Sequence, residues 1–356
     1  MPEDRPLKAA VLKAAVCGAS GYAGAELLRI LAGHPGVEVV SVTSEKSRGI
    51  SPVVLYPHLQ KYGRLTYEPL VPEDLARKAD FFFMALPHRT SQPAVALIFR
   101  EGKRIVDLSA DFRLKDPSAY EKWYNNPHNH RDVLKKAVYG LPELHRARIK
   151  NAGLVANPGC YPTGAILGVY PALKSGIASP EGIIVDSKSG ASGAGRQADP
   201  RFSFCEVNEG FRAYSVASHR HTPEMEQELS AVAKQTVTIN FTPHLLPVNR
   251  GILTTIYLKT AKKTTTEKAL SVYQKQYANE QFVRVLAPGA LPDISAVRGT
   301  NRCDIGLVLD ERTGTLIVVT AIDNLVKGAA GQAVHNMNIM MGFPEETGLG
   351  QLAVFP

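Results

Sequence analysis

A short apolar run, Ala14-Ala15-Val16-Cys17, leads straight into Gly18-Ala19-Ser20-Gly21-Tyr22-Ala23-Gly24. Behind it comes Ala25-Glu26-Leu27-Leu28-Arg29-Ile30-Leu31-Ala32, apolar at helical spacing. A buried strand, a glycine-rich turn and a helix in that order constrain this chain more than any other feature. Glycines let the backbone close on a pyrophosphate, and the helix N-terminus offers unpaired N–H groups with positive potential. The order predicts a dinucleotide-binding α/β unit. A second strand, residues 37–43, ends at Ser44-Glu45-Lys46-Ser47-Arg48. A carboxylate there serves a ribose 2′-hydroxyl, so Glu45 keeps NAD open. Two hydroxyls with Lys46 and Arg48 suit a 2′-phosphate better.

Phe81-Phe82-Phe83-Met84-Ala85-Leu86 reads as a fully buried strand closed by Pro87 and His88. Ile105-Val106-Asp107-Leu108 is another, running into Ser109-Ala110-Asp111-Phe112-Arg113. Ligands of open α/β sheets sit beyond the carboxyl ends of the strands. Arg113 falls at such an end, where a planar cation can grip phosphate or carboxylate. His88 falls there too and reads as a surface residue. Residues 115–150, polar and rich in turn formers and aromatics, read as an excursion.

The next strand-like run, Gly153-Leu154-Val155-Ala156, meets Asn157-Pro158-Gly159-Cys160-Tyr161-Pro162-Thr163-Gly164 and then a helical pattern. Pro158 and Gly159 mark a turn, and Pro162 is tolerated in a first helical turn. Cys160 therefore sits at a strand-to-helix junction. The positive end of the helix there favours thiolate over thiol and leaves N–H groups free for an oxyanion. A free cysteine is more often a small buried residue. The turn chemistry tilts Cys160 towards a nucleophile.

At 356 residues the chain suits two domains, each with its own core. Beyond Cys160 the pattern shifts to strands around 182–186, 237–241, 252–258 and 315–322, which predicts an α+β second domain. Ser189-Gly190-Ala191-Ser192-Gly193-Ala194-Gly195-Arg196 can lie close to a ligand and present N–H groups. His219-Arg220-His221-Thr222-Pro223-Glu224 puts two histidines before a helix, with Thr222 as N-cap and Pro223 first inside. An extended pair spaced by two points to opposite sides, so one of them faces the site. No third ligand accompanies them, so no metal is expected. The stretch 244–251 reads as structural. The last helix, 325–341, starts with small residues and carries an apolar stripe that packs back on the first domain.

Four widely separated cysteines form no C-x-x-C pair, which points to a reducing compartment. The net charge of +8 is scattered without a dense block, so small anions rather than nucleic acid are its expected partners. No apolar run reaches the length of a membrane span, and Met1-Pro2-Glu3-Asp4-Arg5 does not read as a signal peptide. The expected location is the cytoplasm, or a plastid stroma if a transit segment has been removed.

Five stretches together resemble the N-acetyl-gamma-glutamyl-phosphate reductase family: 18–24, 107–113, 157–163, 219–224 and Asp323-Asn324-Leu325-Val326-Lys327-Gly328-Ala329-Ala330-Gly331-Gln332. The resemblance runs over essentially the whole length. It implies a Rossmann-type domain (1–158, completed by 325–356) and a catalytic and oligomerisation domain (159–324), similar to aspartate-semialdehyde dehydrogenase. It implies NADPH as reductant, a homodimer or homotetramer, and reduction of an acyl phosphate to an aldehyde with release of phosphate. In that reading Cys160 is the nucleophile and His221 moves the proton. Arg113, His219, Ser189, Arg196 and Glu224 would hold substrate. Gly18, Ser20, Gly21, Tyr22, Gly24, Ser44, Lys46, Arg48, Pro87, Ser192, Gly193 and Asn324 would hold the cofactor. A related semialdehyde dehydrogenase acting on aspartyl or carrier-bound aminoadipyl phosphate is the alternative.

Overall fold

The structure is a computed structural model that describes residues 11–355. The first ten residues, including the charged start, and Pro356 lie outside the described residues. Six parallel strands form the first sheet: β1 (Leu12–Cys17), β2 (Val37–Thr43), β3 (Phe81–Met84), β4 (Arg104–Asp107), β5 (Val138–Tyr139) and β6 (Leu154–Ala156). Their order is β2-β1-β3-β4-β6-β5. The chain leaves β1 for β2 on one side and returns to β3 on the other, which opens a crevice at the carboxyl ends of β1 and β3. The Phe81-Phe82-Phe83-Met84 run is buried throughout because helices cover both faces of a parallel sheet.

Seven strands form the second sheet: β7 (Ile183–Gly190), β8 (Arg212–Ala213), β9 (Ile239–Leu246), β10 (Ile252–Lys259), β11 (Val283–Val285), β12 (Cys303–Asp310) and β13 (Thr315–Ile322). The order is β11-β12-β13-β10-β7-β9-β8, with β7 and β9 parallel and β10 antiparallel to both its neighbours. One face carries alternating buried residues such as Ile183, Val185, Ile252, Ile256 and Val318, packed under the helix Cys160–Lys174. The opposite face leaves Ile184, Tyr257 and Val308 exposed.

The segment 115–150 is more than an excursion. It contributes the edge strand β5 and the helices Pro117–Tyr124 and Pro142–Lys150. Strand β12 had no clear signal, because Gly306 and the charged ends Asp304 and Asp310 break its apolar run. His244, read as part of a structural loop, is within β9. The last helix is split into a π turn, Val326–Ala330, and the helix Gly331–Met341. Its Ala333, Val334, Met337 and Met340 pack with Leu27, Leu28, Ile30 and Leu31 of the helix that follows the glycine turn.

Candidate active site

Cys160 is the first residue of its helix, with Gly159 as an N-cap that has no side chain to satisfy the N–H groups behind it. The approach is held from three sides. Asn157 N–H extends the sheet by donating to Asp107 O at 2.8 Å. Its Nδ2 donates to Ala329 O at 3.1 Å, and its Oδ1 accepts from Asn336 Nδ2 at 3.0 Å. Gly159 N–H donates to Glu224 Oε1 at 2.7 Å. A Cβ on Gly159 would lie 2.7 Å from His221 Nε2 and 2.9 Å from Arg113 Nη1, so only glycine fits between them. A Cβ on Gly328, in the π turn, would lie 2.8 Å from the Cys160 Cβ.

The helix start at Cys160 favours a thiolate. The structure corrects that expectation. Burial pushes the thiol up to about 11, although the charge of Arg113 and the backbone N–H groups of Tyr161 and Cys160 pull the other way. Removing a charge from water costs more here than the partial charge of a helix end returns. The free site therefore holds a thiol.

Two imidazoles lie against the Cys160 loop: a Cβ on Gly159 would be 2.7 Å from His221 Nε2, and both rings pack on Tyr161. Residues 219–222 form a turn closed by Thr222 N–H donating to His219 O at 3.0 Å, so the two histidines do not point apart. Their ring centroids are 4.9 Å apart, and both lie edge-on to Tyr161, at 5.3 and 5.9 Å. His221 N–H donates to His219 Nδ1 at 3.1 Å. The helix Thr222–Ala233 has His221 itself as N-cap, one residue before the expected cap. Burial, then the neighbouring His219 and Arg113, hold the His221 imidazole well below its usual range. Burial and Arg220 bring His219 down to about 4. Both rings are neutral at neutral pH.

Arg113 and Glu224 meet behind Cys160. Arg113 Nη1 donates to Glu224 Oε2 at 3.2 Å, Nε to Asn157 O at 2.7 Å and Nη2 to Leu108 O at 2.8 Å. Glu224 Oε1 also accepts from Tyr139 O–H at 2.8 Å. The family resemblance puts Glu224 among the substrate ligands. At 1% exposure, with donors on both oxygens, it instead anchors the Cys160 loop. Arg113, 5% exposed, keeps only part of its donor set for an anion. His88, read as a surface residue, is half-buried. Its Nδ1 accepts from Ala110 N–H at 3.0 Å, and burial followed by Arg113, Arg220 and Arg89 drives it down to about 3. Tyr139, and Tyr214 whose hydroxyl pairs with that of Tyr161 at 2.7 Å, escaped the sequence reading. For His88 the signal was there: it follows the carboxyl end of β3.

The glycine turn has the shape a dinucleotide needs. Gly18 has φ +83°, and a Cβ there would lie 2.4 Å from Ala85 O. A Cβ on Gly24 would lie 2.6 Å from Ala19 Cα, whereas the space over Gly21 is free to 3.6 Å. Thus two glycines serve the turn and helix packing, and the one at the helix N-terminus leaves an open cradle. Ser20 Oγ and Ser44 Oγ are 2.6 Å apart, and Ser47 N–H donates to Ser44 Oγ at 3.2 Å. Ser44 is thus buried in the turn, while Lys46 and Arg48 are exposed. Glu45 is turned away: its Oε1 accepts from Leu70 N–H at 3.0 Å. Pro87 lies exposed beyond β3.

Across the crevice, Asn324 Nδ2 donates to Ser192 Oγ at 2.9 Å, and its Oδ1 accepts from Gly251 N–H at 2.8 Å. A Cβ on Gly193 would lie 3.8 Å from Asn324 Nδ2 and 3.5 Å from Ser189 Oγ, so these residues form one corner. Arg196 was read as a substrate ligand. It reaches the glycine turn instead, donating to Ser20 O at 3.3 Å with its guanidinium over the Tyr56 ring. An open groove of about 800 Å³ runs between Tyr22, Ser192, Arg196, Asn249, Arg250 and Leu325. Among the described residues, no three His, Cys, Asp or Glu side chains gather as metal ligands would.

Residues 13–152 match the family described as semialdehyde dehydrogenase, NAD binding domain, and residues 160–324 match the semialdehyde dehydrogenase dimerisation domain. The chain is 55% identical over 347 residues to the N-acetyl-gamma-glutamyl-phosphate reductase of Geobacter sulfurreducens, covering 97% of this chain and 100% of that one. It is 52% identical over 345 residues to the reductase of Pelotomaculum thermopropionicum, covering 97% and 99%. The chain belongs to the N-acetyl-gamma-glutamyl-phosphate reductase family. The fold is shared more widely. Aspartate semialdehyde dehydrogenase II from Vibrio cholerae superposes with a TM-score of 0.72 at 16% identity, covering 94% of this chain and 99% of that one. The Candida albicans enzyme with NADP superposes at 0.69 and 16%, covering 93% and 99%. The relatives come from bacteria, so the plastid expectation finds no support among them.

Proposed function

We propose that this chain reduces N-acetyl-L-glutamyl 5-phosphate to N-acetyl-L-glutamate 5-semialdehyde through a thioester on Cys160, as a step of arginine biosynthesis. The carrying observation is the convergence of His221 Nε2 and Arg113 Nη1 on Gly159, the residue before Cys160. His221 takes the thiol proton as Cys160 Sγ attacks the acyl carbon, and phosphate leaves. Backbone N–H groups at the helix start face the oxygen that becomes negative. NADPH, when bound, supplies a hydride to the thioester carbon. His221 returns its proton to that oxygen; the thiohemiacetal then expels the Cys160 sulfur while its hydroxyl proton passes back through His221 to Sγ, giving the aldehyde and the free thiol. His219 sits beside it as the partner for the substrate carboxylate, and the free donors of Arg113 serve phosphate.

NADPH rather than NADH is supported by exposed Lys46 and Arg48 after β2 and by Glu45 being engaged with Leu70. On this reading residues 1–158 with 325–356 hold the cofactor and 159–324 carry Cys160. The half-apolar outer face of the second sheet favours a homodimer or homotetramer, and four unpaired cysteines favour the cytoplasm. Among the described residues no helix is long and apolar enough to cross a membrane. The test is the reverse reaction: N-acetylglutamate semialdehyde, NADP and inorganic phosphate, followed by NADPH absorbance. Phosphate-dependent turnover is expected. Faster turnover of aspartate semialdehyde would reassign the substrate.

A further inference from the structure

Arg250 stands in the loop between β9 and β10, a stretch whose sequence reads as structural. Its guanidinium crosses to the other half of the molecule. Nη1 donates to Glu26 Oε1 at 3.0 Å and Nη2 to Glu26 Oε2 at 2.9 Å. Glu26 lies in the helix Tyr22–Ala32, directly behind the glycine turn, and is 3% exposed. Arg29 donates to the same Oε1 at 2.7 Å, and Asp323 Oδ2 lies 3.6 Å from Arg250 Nη1. A bidentate guanidinium–carboxylate pair sets both a distance and a plane, which a lysine cannot do.

The same loop carries the small-residue segment of the catalytic half. Ala191 N–H donates to Val248 O at 2.9 Å, Ser192 N–H to Asn249 O at 3.1 Å and Gly190 N–H to Gly251 O at 2.9 Å. A Cβ on Gly190 would lie 2.8 Å from the Asn249 carbonyl, so the two segments are in direct backbone contact. The bond from Gly251 N–H to Asn324, and from Asn324 to Ser192, closes the unit. The Ser192 corner therefore moves with residues 248–251, and these are tied to the dinucleotide helix through Glu26.

We propose that Arg250 is a positioning residue for hydride transfer: its pair with Glu26 holds the dinucleotide helix in register with the Ser192 corner and Cys160. The inference rests on the reaction proposed above and separates its steps. Cofactor binding uses mainly the first half, and acylation of Cys160 uses mainly the second. Hydride transfer brings the glycine-turn helix against the Ser192 corner and Cys160, and a misplacement of about 1 Å costs such a step about a hundredfold.

The test uses the full chain carrying Cys205→Ser, because Cys205 is an exposed free thiol. Arg250→Met is compared with Arg250→Lys. The burst of phosphate from the acyl phosphate without cofactor is expected within about threefold of the parent. Because Arg250 lines the groove beside Tyr22 and Ser192, the hydride step is read at saturating NADPH, whose affinity is measured by fluorescence. The single-turnover hydride step is expected to fall about 30-fold or more, with an increased isotope effect from deuterated NADPH. A second readout does not depend on turnover. Saturating NADP should shield Cys160 from iodoacetamide in the parent, and about tenfold less so in Arg250→Met. Arg250→Lys, which keeps the charge and loses the fork, should fall between the two and decides the matter if Arg250→Met does not fold. A hydride step within about threefold of the parent, or equal losses in binding, acylation and hydride transfer, would overturn the role. Absence of a phosphate burst in the parent would overturn the reaction instead, while NADP shielding still decides the role of Arg250.

Discussion

Glu224→Gln should make the protein less stable and Cys160 more reactive at once. The carboxylate is 1% exposed and bonds Gly159 N–H, Tyr139 O–H and the Arg113 guanidinium, itself 5% exposed. A glutamine keeps the shape and one acceptor but turns an N–H₂ towards other donors and leaves Arg113 without its counter-charge. Stripping one partner from a buried pair costs about 3–5 kcal/mol. Solvent screening offers little discount, because both groups are almost fully buried. At roughly 3 °C per kcal/mol for a unit of this size, Tm should drop by about 10 °C. The effect on Cys160 has the opposite sign. Glu224 is one of the charges that raise the Cys160 thiol, so neutralising it exposes the sulfur to Arg113 alone and lowers that thiol. Alkylation of Cys160 at pH 8, in protein carrying Cys205→Ser, should accelerate by about threefold or more. Differential scanning fluorimetry and timed iodoacetamide labelling read the two quantities. A Tm within about 2 °C of the parent together with an unchanged alkylation rate would refute the placement of Glu224 behind the loop.

Three further outcomes follow from the same geometry. Because burial holds the Cys160 thiol at about 11, the thiolate fraction of the free enzyme should rise about tenfold per pH unit from 6 to 10, and alkylation with it; a plateau between pH 6 and 8 would return Cys160 to a resting thiolate. Replacing Lys46 and Arg48 by Ala should raise KM for NADPH about tenfold more than KM for NADH, and equal changes would remove the loop from the 2′-phosphate. His221→Asn should lower kcat by about a hundredfold or more with little change in KM, whereas His219→Asn should raise KM for the acyl phosphate; steady-state kinetics giving the reverse pattern would exchange the two roles.

Local signals were enough for the elements that build the site. Gly18, Gly21 and Gly24 announce the cradle because strand, turn and helix are neighbours along the chain, and the conformation of Gly18 excludes a side chain whatever packs around it. Asn157-Pro158-Gly159-Cys160 announces a helix start for the same reason: the unpaired N–H groups are a property of the helix end itself. The tertiary structure decided everything that depends on what faces these groups from distant segments. Glu224 and Arg113 are 111 positions apart, so nothing in the spacing of either shows that they neutralise one another. The two histidines fall on one side because residues 219–222 close a turn, which alternation along a strand could not foresee. Arg196 looks like the end of a substrate loop, yet its reach is set by where the first half places Ser20. The protonation of Cys160 makes the same point most sharply. A helix end attracts negative charge locally, but the free energy of a charge depends on how much water the rest of the fold removes from it.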